Sequence, residues 1–473
     1  MGVYEFGVTG LDALLPEALV PGTLVVVAGS PGSGKTTLAT TLCLKNAVKG
    51  FKCLYVSFQE DKEKLFRNML RLGLNLTEVA SKGLMDFIKL PLSSSADDIV
   101  SELGALVSKG RYNVIVVDSI NPLLKAVEGD LNRRAYLQNF FAELPKITEG
   151  VVTLLYEAPE DIDTLSLGDI EFVADIIIYL RQKVERRLVS RELEIRKARN
   201  VSLNVVQAPL TITEGKGLEV WIPYTFEEIQ PPGESLIKPE LMNILKTENC
   251  VELSDHILNS LVKGRVIYVT YPSDIQLIEP LTHTLFLATI VNAKVLLISY
   301  RYSSADIRHL LEKTLKQHGI RDTELIDKYI IIKSLNPLGV NVAQINAYEN
   351  EWIKTLKPDI VYFHGVETAQ TVSEFNTYAY LLVNQLNFLR KEQILTIREG
   401  SYINKKLHRF NSILSDTIVK FKPIKEKPGY EIRIWSRGVK PVTTTGEKLS
   451  ACGREMFKFL LKKLQLKDVT STQ

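Results

Sequence analysis

Eight residues, Gly29-Ser30-Pro31-Gly32-Ser33-Gly34-Lys35-Thr36, constrain this chain more than any other stretch. They fit the pattern of Gly, four residues, Gly, Lys, then Ser or Thr, which wraps backbone amides around phosphate. The context is the one such a loop requires. The preceding Thr23-Leu24-Val25-Val26-Val27-Ala28 reads as a buried parallel strand, and Thr37 to Ala47 as the helix that follows. A nucleotide triphosphate needs several N–H groups at close range, where side chains would block the approach, hence the three glycines. Lys35 is expected to reach the β- and γ-phosphates, and the Thr36 hydroxyl to ligate Mg²⁺. Ser30 and Ser33 would add donors, Pro31 and Thr37 complete the cofactor-binding segment, and the positive end of the helix dipole adds to the anion site. A Gly/Ser turn that binds nothing is the alternative, disfavoured because strand, loop and helix come in order.

Length and charge bound the rest. At 473 residues the chain exceeds one ordinary core, so two or three domains are expected. Net charge is +3, from 58 basic and 55 acidic residues, which excludes an overall field of the kind that alone draws nucleic acid or an anionic membrane. The cysteines Cys43, Cys53, Cys250 and Cys452 are scattered with no Cys-x-x-Cys pair, so neither a zinc site nor a disulfide framework is signalled. A reducing cytosol fits that pattern. No apolar run approaches the ~20 residues of a membrane helix and no basic-then-apolar leader opens the chain, so a cytoplasmic protein without a membrane span is expected.

Several strands end in residues suited to nucleotide chemistry. Lys52 to Phe58 ends in Gln59-Glu60, and Arg111 to Val117 ends in Asp118-Ser119. A carboxylate at the C-terminal edge of a parallel strand beside a phosphate loop can hold a metal or orient the attacking water. Asp118 is therefore the expected Mg²⁺ partner through water, and Ser119 a γ-phosphate sensor. Glu60 is a candidate base, with a solvated polar cluster opening a helix as the alternative. On the strand from Glu192 to Arg199, Lys197 and Arg199 are two apart and share a face.

The lead Thr9-Gly10-Leu11-Asp12-Ala13-Leu14-Leu15, the strand entry Pro21-Gly22-Thr23-Leu24 and the loop with its Thr36-Thr37 end together resemble the KaiC-like branch of the RecA superfamily of P-loop ATPases, of the archaeal KaiC-domain type. The resemblance is specific from Gly7 to about Leu203. It implies a mainly parallel sheet flanked by helices, ATP and Mg²⁺ as cofactors, and rings or filaments with active sites between subunits. KaiC-like proteins carry two consecutive glutamates at the second strand end; here the first is Gln59, and an amide can position water but not take its proton. Lys197 and Arg199 match the family's Lys-x-Arg, which reaches a neighbouring subunit's γ-phosphate. A basic sheet edge that blocks aggregation and, with Arg186, Arg187 and Arg191, a DNA phosphate track are the competing readings.

The second half repeats the first. Gly264 to Val269 lines up with Gly22 to Val27, and Lys294 to Tyr300 with Lys52 to Phe58, at one and the same offset; Lys357 to His364 overlies Arg111 to Asp118. The chemistry is replaced. Leu277 and Ile278 fall at Lys35 and Thr36, Arg301 and Tyr302 at Gln59 and Glu60, and His364 at Asp118. His364 is expected to be a structural polar residue, with a metal or proton-transfer role as the alternative. Expected organisation is a KaiC/RecA-like ATPase domain at 1–228, a proline-rich linker at 229–240, a degenerate RecA-like domain at 241–440, and a basic amphipathic helix and tail at 441–473. The expected function is Mg-dependent ATP binding with slow hydrolysis to ADP and phosphate, a regulatory switch acting through protein partners. A DNA-stimulated recombination or repair ATPase is one alternative. An autokinase, with Thr443 to Thr445 as conceivable acceptors, is the other.

Overall fold

Leu24, Val26 and Ala28 alternate with Val25 and Val27, so the strand Thr23–Gly29 (β1) shows apolar groups to both faces and must be covered on both. In the computed structural model it is. Leu24, Val26 and Ala28 enter one apolar core, Val25 and Val27 another. Each fully buried side chain of this kind contributes about 1.5–3 kcal/mol. The structure describes residues 4–90, 96–126, 131–158, 170–185, 187–199, 201–224, 228–273, 279–317, 320, 323–371, 374–402, 404–424 and 429–470.

The chain divides into two units, Met1–Pro223 and Tyr224–Gln473. The first adds β2 (Cys53–Ser57), β3 (Met85–Lys89), β4 (Val114–Asp118), β5 (Val151–Glu157), β6 (Ile176–Glu185), β7 (Leu188–Ala198), β8 (Gln207–Thr213) and β9 (Gly217–Val220). They form one sheet in the order β3-β2-β4-β5-β1-β6-β7-β8-β9. Pairing is parallel from β3 through β6 and antiparallel from β6 to β9. Parallel neighbours need crossovers, which here are helices. The helix Lys35–Val48 leaves the end of β1 and crosses the sheet to pack on β2, β4 and β5.

The second unit is built from β10 (Val266–Tyr271), β11 (Val295–Ser299), β12 (Ile330–Ser334), β13 (Ile360–His364), β14 (Leu395–Ser401), β15 (Thr417–Pro423), β16 (Tyr430–Ser436) and β17 (Val439–Thr445). Their order, β12-β11-β13-β14-β10-β15-β16-β17, repeats that of β3-β2-β4-β5-β1-β6-β7-β8 strand for strand. The fold is thus α/β, two mainly parallel sheets flanked by helices, as two tandem RecA-like domains require. Both faces of the second sheet are covered too, by separate apolar cores.

Three expectations change on the structure. Within 229–240, Leu236 is buried and Ser235 bridges to Val262, so this stretch packs onto the second unit instead of spanning free. Residues 439–445 are the edge strand β17, not tail; the helix that follows, Gly446–Thr470, packs on the helix Glu279–Val291. That packing brings Cys452 to Cys250, 202 residues away, and the two form a disulfide with their Cα atoms 4.8 Å apart. Spacing could not show this because the pairing is tertiary. Disulfides persist in oxidising compartments or in the cells of hyperthermophiles, so the cysteines no longer argue for a reducing cytosol. Cys43 and Cys53 remain free and buried. Leu277 and Ile278 lie outside the described residues.

Candidate functional site

The phosphate loop runs from the end of β1 into the helix Lys35–Val48, and its glycines are dictated by space. A Cβ on Gly29 would lie 2.3 Å from the Leu180 carbonyl oxygen of β6, and Gly34 holds φ at +109°, where an L side chain is strained. Lys35 is buried. Its Nζ donates to the carbonyls of Gly29 and Ser30, each at 2.9 Å, and lies 3.2 Å from Glu157 Oε1. Ser33 Oγ is buried with no hydrogen-bond partner among the described residues.

Asp118 ends β4, yet it reaches the loop because the helix begins directly above it. Thr36 Oγ1 donates to Asp118 Oδ2 at 3.0 Å, and the Tyr55 hydroxyl of β2 donates to the same oxygen at 2.6 Å. Burial pushes the Asp118 carboxyl above its usual range; the Tyr55 and Thr36 hydrogen bonds and the Lys35 charge pull it back, while Glu157 adds to the rise. Burial and Asp118 together push the Tyr55 phenol well up. A hydroxyl and a carboxylate oxygen side by side suit a hard divalent cation, whose charge would offset the burial of Asp118. Among the described residues no cluster of three or more His, Cys, Asp or Glu offers a site of the all-protein kind.

At the end of β2 the chain turns on Ser57, whose Oγ accepts from the backbone N–H of Gln59 at 3.3 Å and of Glu60 at 3.0 Å. Gln59 is exposed. Glu60 is half-buried: Oε1 accepts from Lys64 at 3.3 Å, while Oε2 is buried without a partner among the described residues. Ser119 is buried.

Lys197 and Arg199 are not at the phosphate loop of their own chain. Lys197 pairs with Ile177, level with Val26, and the Arg199 N–H bonds the Asp175 carbonyl, whose own N–H bonds Leu24. Lys197 is therefore level with the middle of β1 and Arg199 with its start, about 10 and 16 Å from Gly29 along the strand direction at 3.3 Å per residue, and two strands across. Lys197 Nζ donates to the carbonyls of Glu171 and Phe172, and Arg199 to Phe172 and Asp175. Arg186 lies outside the described residues.

Residues 4–224 match the family "ATPase: KaiC". The amino-terminal unit is a KaiC-like P-loop ATPase domain of the RecA superfamily. The "Circadian clock protein KaiC3" of Synechocystis sp. is 26% identical over 244 residues, covering 49% of this chain and 48% of that protein. The "Circadian clock protein KaiC2" of the same organism is 27% identical over 218 residues, covering 44% and 38%. The "Circadian clock oscillator protein KaiC" of Synechococcus elongatus is 23% identical over 274 residues, covering 56% and 51%. The aligned part of this chain thus spans about half or less of these curated relatives. Among the described residues no helix is long and apolar enough to cross a membrane.

Two residues of the KaiC-like domain that spacing did not single out stand at the loop. Tyr55 lies inside its strand, where it reads as core. Glu157 closes β5, opposite Gly29 in the register, and Asn121 pins it through both backbone groups. It obeys the rule that singled out Asp118, an acid at a strand end.

The second unit keeps the scaffold and fills it differently. Ser299 Oγ accepts from the N–H groups of Arg301 and Tyr302, as Ser57 does from Gln59 and Glu60, and also meets His364 Nδ1 at 3.0 Å. His364 is buried, and burial with the Arg301 charge lowers its pKa to about 4, so it is neutral. Arg301 pairs with Glu367, and the buried Glu399 accepts from the hydroxyls of Tyr271 and Tyr362.

Proposed function

We propose that the KaiC-like domain binds ATP with Mg²⁺ and hydrolyses it slowly to ADP and phosphate, and that the chain uses this cycle as a switch on protein partners. The observation that carries the reading is the 3.0 Å contact between Thr36 and Asp118 at the first turn of the helix that Lys35 opens. The loop amides and Lys35 would grip the phosphates, while Thr36 and Asp118 would hold the metal. Bound there, Mg²⁺ would neutralise charge on the phosphate oxygens. Tyr55 fixes the rotamer of Asp118 by its 2.6 Å hydrogen bond.

Slow turnover follows from the end of β2. Gln59 can orient water but not deprotonate it, so proton removal falls to Glu60, whose Oε2 is without a partner among the described residues. Lys197 and Arg199 would serve a neighbouring protomer, since both bond the Glu171–Phe172 segment and not the phosphate loop of their own chain; the active assembly is then a homo-oligomer. The second unit, with His364 and Arg301 at the positions of Asp118 and Gln59, would carry no hydrolytic site of its own. The relatives named as circadian clock proteins favour a regulatory role over a metabolic one.

Mg-ATP binding and turnover of the wild type against Lys35→Ala, Asp118→Asn and Arg199→Ala test this. Lys35→Ala should abolish binding, and Asp118→Asn should remove the dependence on Mg²⁺. Arg199→Ala should leave binding intact and cut turnover, and mixing it with a Lys35→Ala chain, which supplies the missing arginine, should restore part of the rate. Retained ATP binding in Lys35→Ala, or first-order turnover indifferent to oligomerisation, would overturn the reading.

A further inference from the structure

The two sheets share their strand order, so the same surface can be read twice. In the first unit β1 carries β6 and β7 beyond it, with Ala28 beside Tyr179, and Tyr179 across from Glu194. Arg181 follows Tyr179 on that face. Its charge is answered: Glu194 takes Arg181 at 2.6 Å and Arg196 at 3.3 Å. Both guanidinium groups also lie over the Tyr179 ring. In the second unit Thr270 stands beside Lys420, and Lys420 across from Arg433. Lys420 thus holds the place of Tyr179, Lys422 that of Arg181, and Arg433 that of the neutralising Glu194. Three cations stand together where the other copy has a balanced network.

No carboxylate among the described residues lies within ion-pair distance of Lys420, Lys422 or Arg433. The acids nearby do not answer them: Glu431 is exposed and opposite Lys422 in the register, and Asp416 is engaged by Arg390 and Arg437. The Lys420 ammonium is held below its usual range by burial, then by Lys422 and Arg433. Crowding like charges costs stability unless an anion is brought to them. Aromatic rings are interleaved. Lys420 lies 4.6 Å from the centre of the Tyr402 ring, and Trp435, across from Ile418 on the same face as Arg433, is 38% exposed. The hydrophobic side of these strands, Phe421, Ile432 and Ile434, is turned into one core; on the other side Ile418 packs on the second core, while Arg433 and Trp435 are exposed.

We propose that this face of β15 and β16 binds single-stranded nucleic acid, with Lys420, Lys422 and Arg433 on the phosphates and Trp435 under a base. Cations alone would suit any polyanion; an exposed indole beside them favours a strand whose bases are unpaired and can stack. The site is independent of the nucleotide pocket and stands or falls separately from it.

The test is anisotropy of a fluorescein-labelled oligothymidylate of about 20 nucleotides titrated with the full chain, together with the tryptophan emission. Binding is expected at low salt, with a log–log salt slope of about −2 from three phosphate contacts. Trp435→Ala should weaken it about tenfold. Arg433→Glu, which restores the acid of the first unit, should weaken it at least as much, and the milder Lys420→Gln should act in the same direction. An unchanged Tm of the second unit, where all three substitutions lie, reports that they are folded. Absence of binding at about 50 mM salt overturns the proposal. So does full affinity in Arg433→Glu, or a duplex or heparin bound as tightly without dependence on Trp435, which would mark a plain polyanion surface.

Discussion

Glu157→Gln should tighten ATP binding. Lys35 Nζ sits 3.2 Å from Glu157 Oε1, so a carboxylate competes for the ammonium that a γ-phosphate would take. The gross attraction is about 5 kcal/mol at this distance with an effective dielectric of about 20. Glu157 is 39% exposed, and water screening and side-chain freedom reduce the net worth to about 1–2 kcal/mol. Removing the charge should lower the Kd for Mg-ATP by about five- to thirtyfold. The strand end should not move, because Asn121 holds residue 157 by its backbone N–H and carbonyl. Calorimetric titration of a non-hydrolysed ATP analogue, in Mg²⁺ and at two salt concentrations, measures the change. Affinity within twofold of wild type would show that the pair is too weakly coupled to matter. Weaker binding would show that Glu157 assists the nucleotide, and the competition argument would be wrong.

Other consequences are equally direct. Gly29→Ala puts a Cβ against the Leu180 carbonyl, which belongs to a central strand and cannot yield; a loss of nucleotide binding with a destabilisation of about 2–3 kcal/mol is expected in denaturant titration. Cys452→Ser, or reduction of the wild type, opens a loop of about 200 residues and should cost the second unit about 2–5 kcal/mol, seen as a lowered Tm in that unit alone. Burial raises the carboxyls of Glu399 and Glu349 to about 7 each, so the folded state binds protons that the unfolded state has already lost. Each should therefore lower the stability of the second unit by about 3 kcal/mol as pH rises from about 4.5 toward about 7, while His364, held at about 4 and neutral when folded, adds about 3 kcal/mol over nearly the same range, so the net fall is about one group's worth and levels off above. Glu399→Gln should remove one share of that slope, and an unchanged urea midpoint difference between pH 5 and pH 8 would refute it.

What the sequence revealed is what one segment can decide. The loop octet is local, and so are the apolar runs of β1, β4 and β10, which is why the parallel sheets and the duplication could be read without coordinates. Asp118 was visible because acids at strand ends follow a rule. Glu157 obeys the same rule but sits on a strand without a motif, so its approach to Lys35 needs the register of β5 against β1. Tyr55 is hidden for a different reason: within Cys53–Ser57 it is one more apolar residue, and only the neighbouring β4 supplies the acid its hydroxyl meets. The Cys250–Cys452 pair depends on where a C-terminal helix docks. The position of Lys197 and Arg199 depends on the direction of β7, which runs back along β6.

The serine turn after the second strand of each sheet has a use of its own. Ser57 and Ser299 cap equivalent amides, yet one is followed by Gln59 and Glu60 and the other by Arg301 and Tyr302. A hydroxyl kept while its neighbours diverged is doing architectural work, so the molecule carries its own control experiment. Replacing each serine by alanine should soften both halves alike, and any excess loss in the amino-terminal half is the portion owed to chemistry.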